Sequence, residues 1–200
     1  MPADAPPIPR PELTFDPDVS DFVKHHYSQA KVILEYGSGG STVLASEMPG
    51  KTIFSVESDK KWALMMQAWF AHAQPVSMPL VQHVNVGKTG KWGTPIDGSA
   101  FRRYHRYPLS IWDEPSFKHP DVILVDGRFR VACALVAMMK ATKRATLLFD
   151  DYENRPKYHV LEDFLEKEQS VGRMAQFTVR KTALPRDQLT AIIGAFSNHS

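Results

Sequence analysis

The chain has 200 residues, 43% of them hydrophobic, and 24 Lys and Arg stand against 22 Asp and Glu for a net charge of +2. That length suits one well-buried domain rather than two, and so mild a basic surplus gives no ground for a nucleic-acid partner. The single cysteine, Cys133, excludes an internal disulfide and any zinc site built from several cysteines; with no basic-then-apolar leader and no apolar run of roughly 18 residues, a soluble cytoplasmic protein with no membrane partner is expected.

Residues 1–17 carry six prolines and little apolar periodicity, so they are expected to form an arm lying over the domain. Val19, Phe22, Val23, Tyr27 and Ala30 then recur at helical intervals and predict a helix over 19–29, covering a sheet edge or the mouth of a ligand site. His25 and His26 on it point in different directions and are poorly placed to share a metal ion. The run Val32-Ile33-Leu34-Glu35 reads as a buried parallel strand closed by an acid. A glycine-dense turn follows through Gly37, Gly39 and Gly40, with Ser41 or Thr42 able to cap the next helix. Such a turn lets the backbone take positive φ and lets a ligand approach without meeting a Cβ. A dinucleotide fingerprint would need glycine at position 42, where Thr42 stands, and no phosphate-loop pattern is present.

A short helix over 42–48 is stopped by Pro49-Gly50, and 52–56 reads as a second buried strand ending in Glu57. Glu57 follows Glu35 by 22 positions, a placement from which a carboxylate can accept bonds from both hydroxyls of a ribose. Asp59 is a cap for a helix over 60–73, whose Trp62, Met66, Trp69 and Phe70 are core packing. Alternation over 79–86 gives a third strand. Segment 88–120 has no sustained period and carries Trp92, Trp112 and the run Arg102-Arg103-Tyr104-His105-Arg106. An insertion of this length reads as a lid whose interleaved arginines and tyrosines suit an anionic or planar substrate; the plainer reading is a solvated basic loop packing its own aromatics. A fourth strand ends at Asp126-Gly127, a helix covers 129–143, and a fifth strand over 145–149 ends in Asp150-Asp151. The alternation implies right-handed crossovers and a ligand crevice at the carboxyl ends of a doubly wound sheet. A helix over 156–168 and strands over 175–180 and 189–196 are expected to finish it.

Glu35-Tyr36-Gly37-Ser38-Gly39 has the form acid-x-Gly-x-Gly. With Glu57 and the order of elements over roughly 30–196, it resembles motif I of the class I S-adenosylmethionine-dependent methyltransferases. The resemblance implies an α/β fold of three layers around a mostly parallel seven-stranded sheet, closed by an antiparallel hairpin. It further implies one domain over 18–200, interrupted by the insertion, and a cofactor site formed by Glu35, Gly37, Ser38, Gly39, Glu57 and Asp126. Ser41 departs from the pattern, standing where many members carry a third glycine. Asp126-Gly127-Arg128-Phe129 is not the Asn- or Asp-Pro-Pro-aromatic motif expected of N-methyltransferases acting on nucleic acid. The acceptor that the resemblance implies is a small-molecule hydroxyl.

Asp126, Asp150 and Asp151, at neighbouring strand ends, could converge on one hard divalent cation. They look like the magnesium ligands of metal-dependent O-methyltransferases acting on sugars, which implies Mg2+ here; otherwise they are caps. Asp126 is also a candidate catalytic group, and His159 on the following helix a candidate general base. The alternative function is a catalytically inactive binding or regulatory protein that keeps the fold.

Overall fold

The computed structural model describes residues 8–199; the first seven residues of the expected arm lie outside them. In chain order the elements are α1 (Pro17–Gln29), β1 (Val32–Tyr36), α2 (Gly40–Ser46), β2 (Thr52–Glu57), α3 (Lys60–Ala73), β3 (Leu80–His83), α4 (Arg106–Leu109), β4 (Val122–Val125), α5 (Arg130–Lys140), β5 (Ala145–Phe149), β6 (Lys167–Val171), β7 (Met174–Val179) and α6 (Leu189–Ala195). The sheet runs β3-β2-β1-β4-β5-β7-β6. Strands β1 to β5 pair in parallel, and β7 runs antiparallel to both β5 and β6. The winding reverses between β1 and β4, so the ends of those two strands open a crevice.

The central strands are apolar on both sides because both faces are covered. Leu34, Tyr36, Ile123, Val125, Leu147 and Phe149 meet α5 on one face. Ile33, Ile53, Leu124 and Leu148 meet Val19, Val23 and Tyr27 of α1 on the other, so α1 lies on the sheet rather than over the crevice. Strand periodicity puts Glu35 on the same side as Ile33, a point that decides its role below.

Segment 88–120 meets the lid expectation only at residues 90–93, which line the crevice; the remainder packs into the fold. Tyr104, Tyr107 and Ile111 are buried, Tyr36 Oη donates to Pro108 O at 2.7 Å, and Trp112 Nε1 donates to Tyr36 Oη at 2.8 Å. It fills the layer where a crossover helix would lie, with its tyrosines turned inward and Arg102 and Arg106 in solvent. Two expectations at the C-terminal end fail. Residues 189–196 form α6, not a strand: Leu189, Ile192, Ile193 and Phe196 follow the i, i+3, i+4, i+7 spacing of a helix. The expected helix over 156–168 is a 3-10 run, Pro156–Asp163, followed by β6. That strand is polar, Lys-Glu-Gln-Ser-Val, because it is an edge strand wet on both faces, and such a strand leaves no hydrophobic alternation to read. The hairpin is therefore β6 with β7, one element earlier than expected.

Candidate active site

At the carboxyl ends of β1, β2, β4 and β5 the molecule opens a cavity of about 1090 Å³, lined by residues 37–41, Glu57, Asp126, Asp150 and Asp151 among others. The three glycines of the first loop differ in what they permit. Gly37 has φ +104°, and a Cβ there would stand 2.8 Å from Gly127 N, so both its conformation and its contact with the β4 loop need glycine. Gly39 is extended, at φ 177°, and a Cβ on it would have nothing within 4 Å: it faces open cavity. A Cβ on Gly40 would run into the backbone of Glu12, because residues 11–15 cross the loop and form one wall of the cavity. Just before this strap, Arg10 Nη2 donates to both carboxylate oxygens of Glu47, at 2.8 and 3.0 Å.

Glu35 does not reach the cavity. It is fully buried, accepting from Tyr27 Oη at 2.6 Å and from Thr42 Oγ1, while Thr42 Oγ1 accepts the Gly39 N–H at 3.0 Å. The expectation that Glu35 contacts the cofactor is corrected: it props the glycine loop from behind, through α1 and α2. Burial raises its pKa, against the pull of these hydroxyl donors. Glu57 does line the cavity. Its Oε1 accepts Ser58 N at 2.7 Å and Asp59 N at 2.8 Å, and its Oε2 accepts Ser38 N at 3.2 Å. These bonds oppose the upward pressure of burial on its pKa and leave Oε2 with acceptor capacity for a ligand hydroxyl. Ser38 is fixed further by its Oγ against Ser55 Oγ at 2.7 Å, and its carbonyl accepts Trp62 Nε1 at 2.7 Å.

The three aspartates do converge, but on guanidinium groups. Arg130, 3% exposed, stands 3.0 Å from Asp126 Oδ1, 3.4 Å from Asp151 Oδ2 and 3.9 Å from Asp150 Oδ2. Arg155 pairs with Asp151 at 2.7 Å, and Arg173, in the β6–β7 turn, pairs with Asp150 at 2.9 Å. Among the described residues no group of three or more histidine, cysteine or acidic side chains is placed to hold a metal ion. The magnesium expectation does not fit this donor set, since the charge a cation would neutralise is already matched by arginine. A further correction concerns His159, whose Nε2 lies 3.2 Å from Tyr152 O and whose ring packs on Tyr152, away from the cavity lining. Asp126 remains as the titratable group facing the cavity from the β4 end. Burial drives its carboxyl up to about 7, Arg130 pulls it down, and Asp150 and Asp151 push it up again. A third of its side chain meets the cavity, so water offsets part of that rise.

The described part of the arm expected over the domain does lie there, but sequence reading did not show that its residues 11–15 wall the cavity, read Thr42 as a helix cap and not as the partner of Glu35, and gave none of the four cavity arginines a role. Arg130 alone left a signal, standing four residues after Asp126 at a helix start; Arg173 arrives from the far hairpin and left none.

An open sheet of this order with a glycine turn after β1 and an acid after β2 defines the methyltransferase fold. A methyltransferase-like protein from Silicibacter pomeroyi is 46% identical, with 94% of this chain and 98% of that one covered at a TM-score of 0.91. The chain belongs to the class I S-adenosylmethionine-dependent methyltransferase family. Two more distant structures share the fold. One is an O-methyltransferase from Bacillus cereus in complex with SAH, 16% identical over 87% of this chain and 84% of that one, TM-score 0.57. The other is TomG, an O-methyltransferase of tomaymycin synthesis from Streptomyces achromogenes, in complex with SAM, 17% identical over 84% and 82%, TM-score 0.56. No protein-family model and no curated protein matches the chain. Among the described residues no helix is long and apolar enough to cross a membrane.

Proposed function

We propose that the protein methylates a small-molecule hydroxyl from S-adenosylmethionine, without a metal ion. The observation that carries this reading is the open face of Gly39: the loop leaves a space no side chain enters, with the free acceptor capacity of Glu57 Oε2 beside it. Gly37, Ser38 and Gly39 supply the floor for the cofactor, and Glu57 accepts from its ribose. S-adenosylmethionine supplies a methyl on a sulfonium, which leaves with the bonding pair as a neutral thioether when the acceptor oxygen attacks. Asp126 takes the hydroxyl proton, so the new O–C bond, the broken C–S bond and the proton are all accounted for. Alignment does most of the remaining work, and the strap over residues 11–15 and the loop around Trp92 wall the cavity against water.

The test is calorimetry with S-adenosylhomocysteine, followed by its release over a panel of hydroxylated metabolites. Binding at micromolar levels with turnover of at least one acceptor supports the reading; no binding at millimolar levels rejects it. A binding protein without turnover is the second reading, favoured by the closure of the acidic cluster by arginines. It predicts cofactor binding with no release on any acceptor.

A further inference from the structure

We propose that Arg128 anchors an anionic group, a carboxylate or a phosphate, on the acceptor. The inference rests on the methyl-transfer reading and names its substrate class. Of the four arginines that line the cavity, Arg130, Arg155 and Arg173 are matched by the aspartates. Arg128 is not: among the described residues it forms no ion pair, its one side-chain hydrogen bond is from Nη1 to Thr94 Oγ1 at a long 3.4 Å, and its Nε–H is buried with no acceptor. Nε and Nη2 make the edge through which a guanidinium grips a carboxylate or phosphate with two parallel hydrogen bonds. The protein leaves that edge unmatched on a side chain that lines the cavity. Buried donors without partners are rare in native folds, and one beside a ligand cavity is what a ligand oxygen would satisfy.

The placement is fixed by its neighbours. Gly127 before it cannot carry a side chain, because a Cβ would meet Tyr107 Oη and stand 2.8 Å from Gly37 N. Phe129 after it is buried at φ 53°. Burial, and then the charge of Arg130, lower the Arg128 pKa, and an anion held by Arg128 would offset both. An acceptor carrying such an anion would also be drawn to the sulfonium before transfer. The cofactor's own carboxylate has the same chemistry and is the rival occupant.

The experiment titrates inorganic phosphate and benzoate, by calorimetry, into the protein with and without saturating S-adenosylhomocysteine, for wild type, Arg128→Gln, Arg128→Lys and the exposed control Arg102→Gln. Melting curves verify that each variant is folded, and Arg128→Lys keeps the test alive if Arg128→Gln is not. The expected result is millimolar binding of at least one anion to the cofactor-loaded wild type and to the control. Arg128→Gln should weaken it at least tenfold, Arg128→Lys less, and S-adenosylhomocysteine affinity should change by less than threefold. Anion binding that is absent from wild type, or equal in Arg128→Gln, overturns the proposal. So does a tenfold loss of S-adenosylhomocysteine affinity in Arg128→Gln, which would give the edge to the cofactor carboxylate. Should S-adenosylhomocysteine fail to bind wild type while phosphate or benzoate still binds through Arg128, the methyltransferase reading falls and the anion site stands.

Discussion

At the scale of single residues, Gly37 and Gly39 look alike in sequence and do opposite things. Gly39→Val should fold normally, because its backbone is extended and the added carbons enter empty cavity; melting temperature should stay near wild type while S-adenosylhomocysteine binding is lost. Gly37→Ala should destabilise the fold by about 1–3 kcal/mol, since it strains a positive φ and presses on the β4 loop. Equal melting temperatures for the two variants would contradict this division. Asp126 gives a pH signature. Its carboxyl is raised to about 7, so it is protonated and idle as a base below that value; kcat/KM should climb through about pH 7 and level off above it. The stability sign follows from the same shift: between about pH 4, where the unfolded carboxyl ionises, and about 7, the folded state holds a proton the unfolded chain has lost. Folding stability should therefore fall with rising pH across that window and flatten above it. Asp126→Asn should remove both slopes, and a rate profile unchanged by this substitution would deny Asp126 its role.

At the scale of elements, the strap over residues 11–15 crosses the start of helix α2 closely at Gly40. Gly40→Ala suits the helix intrinsically, by about 1 kcal/mol, yet its Cβ displaces the Glu12 backbone. The variant should keep its helices by circular dichroism, expose the segment before α1 to limited proteolysis, and bind S-adenosylhomocysteine several-fold more weakly. Wild-type protease resistance would show that the strap yields without opening. Glu35 acts at the same scale by joining α1, β1 and α2. Substitution by leucine would strand the Tyr27 and Thr42 hydroxyls in the core, and such groups cost about 1–3 kcal/mol each.

For the whole molecule, the Arg130 guanidinium is the tie between the two halves of the crevice. It donates to Gly127 O at 3.0 Å, Asp126 O at 3.0 Å and Asp150 O at 2.5 Å besides facing three carboxylates, so it joins the ends of β4 and β5. Arg130→Met should cost about 3–5 kcal/mol, because Asp126 loses its cation and three carbonyls lose their donor, although Asp150 and Asp151 keep Arg173 and Arg155. Loss on that scale would lower the melting temperature by roughly 10 °C. Millimolar magnesium should restore part of that loss in the variant and leave wild type unmoved, and a chelator should leave wild-type turnover intact; turnover stopped by chelator would return the aspartates to metal binding. Much of this protein is written locally. The first five strands, α3 with its Asp59 cap and the glycine turn were readable because burial on both faces makes an apolar run, a cap needs only one side chain, and a turn needs glycine wherever it sits. The acids at the strand ends were readable for the same reason, as positions in a topology. What they face was not. Whether Glu35 points into the crevice or behind it depends on which face of β1 α1 covers. Whether three aspartates hold a metal or three arginines depends on side chains that arrive from α5, the loop after β5 and the β6–β7 turn. Local sequence records the chain's own preferences, whereas charge pairing is settled among residues distant in the chain, and only the folded sheet brings Asp126 and Arg173 to one cavity.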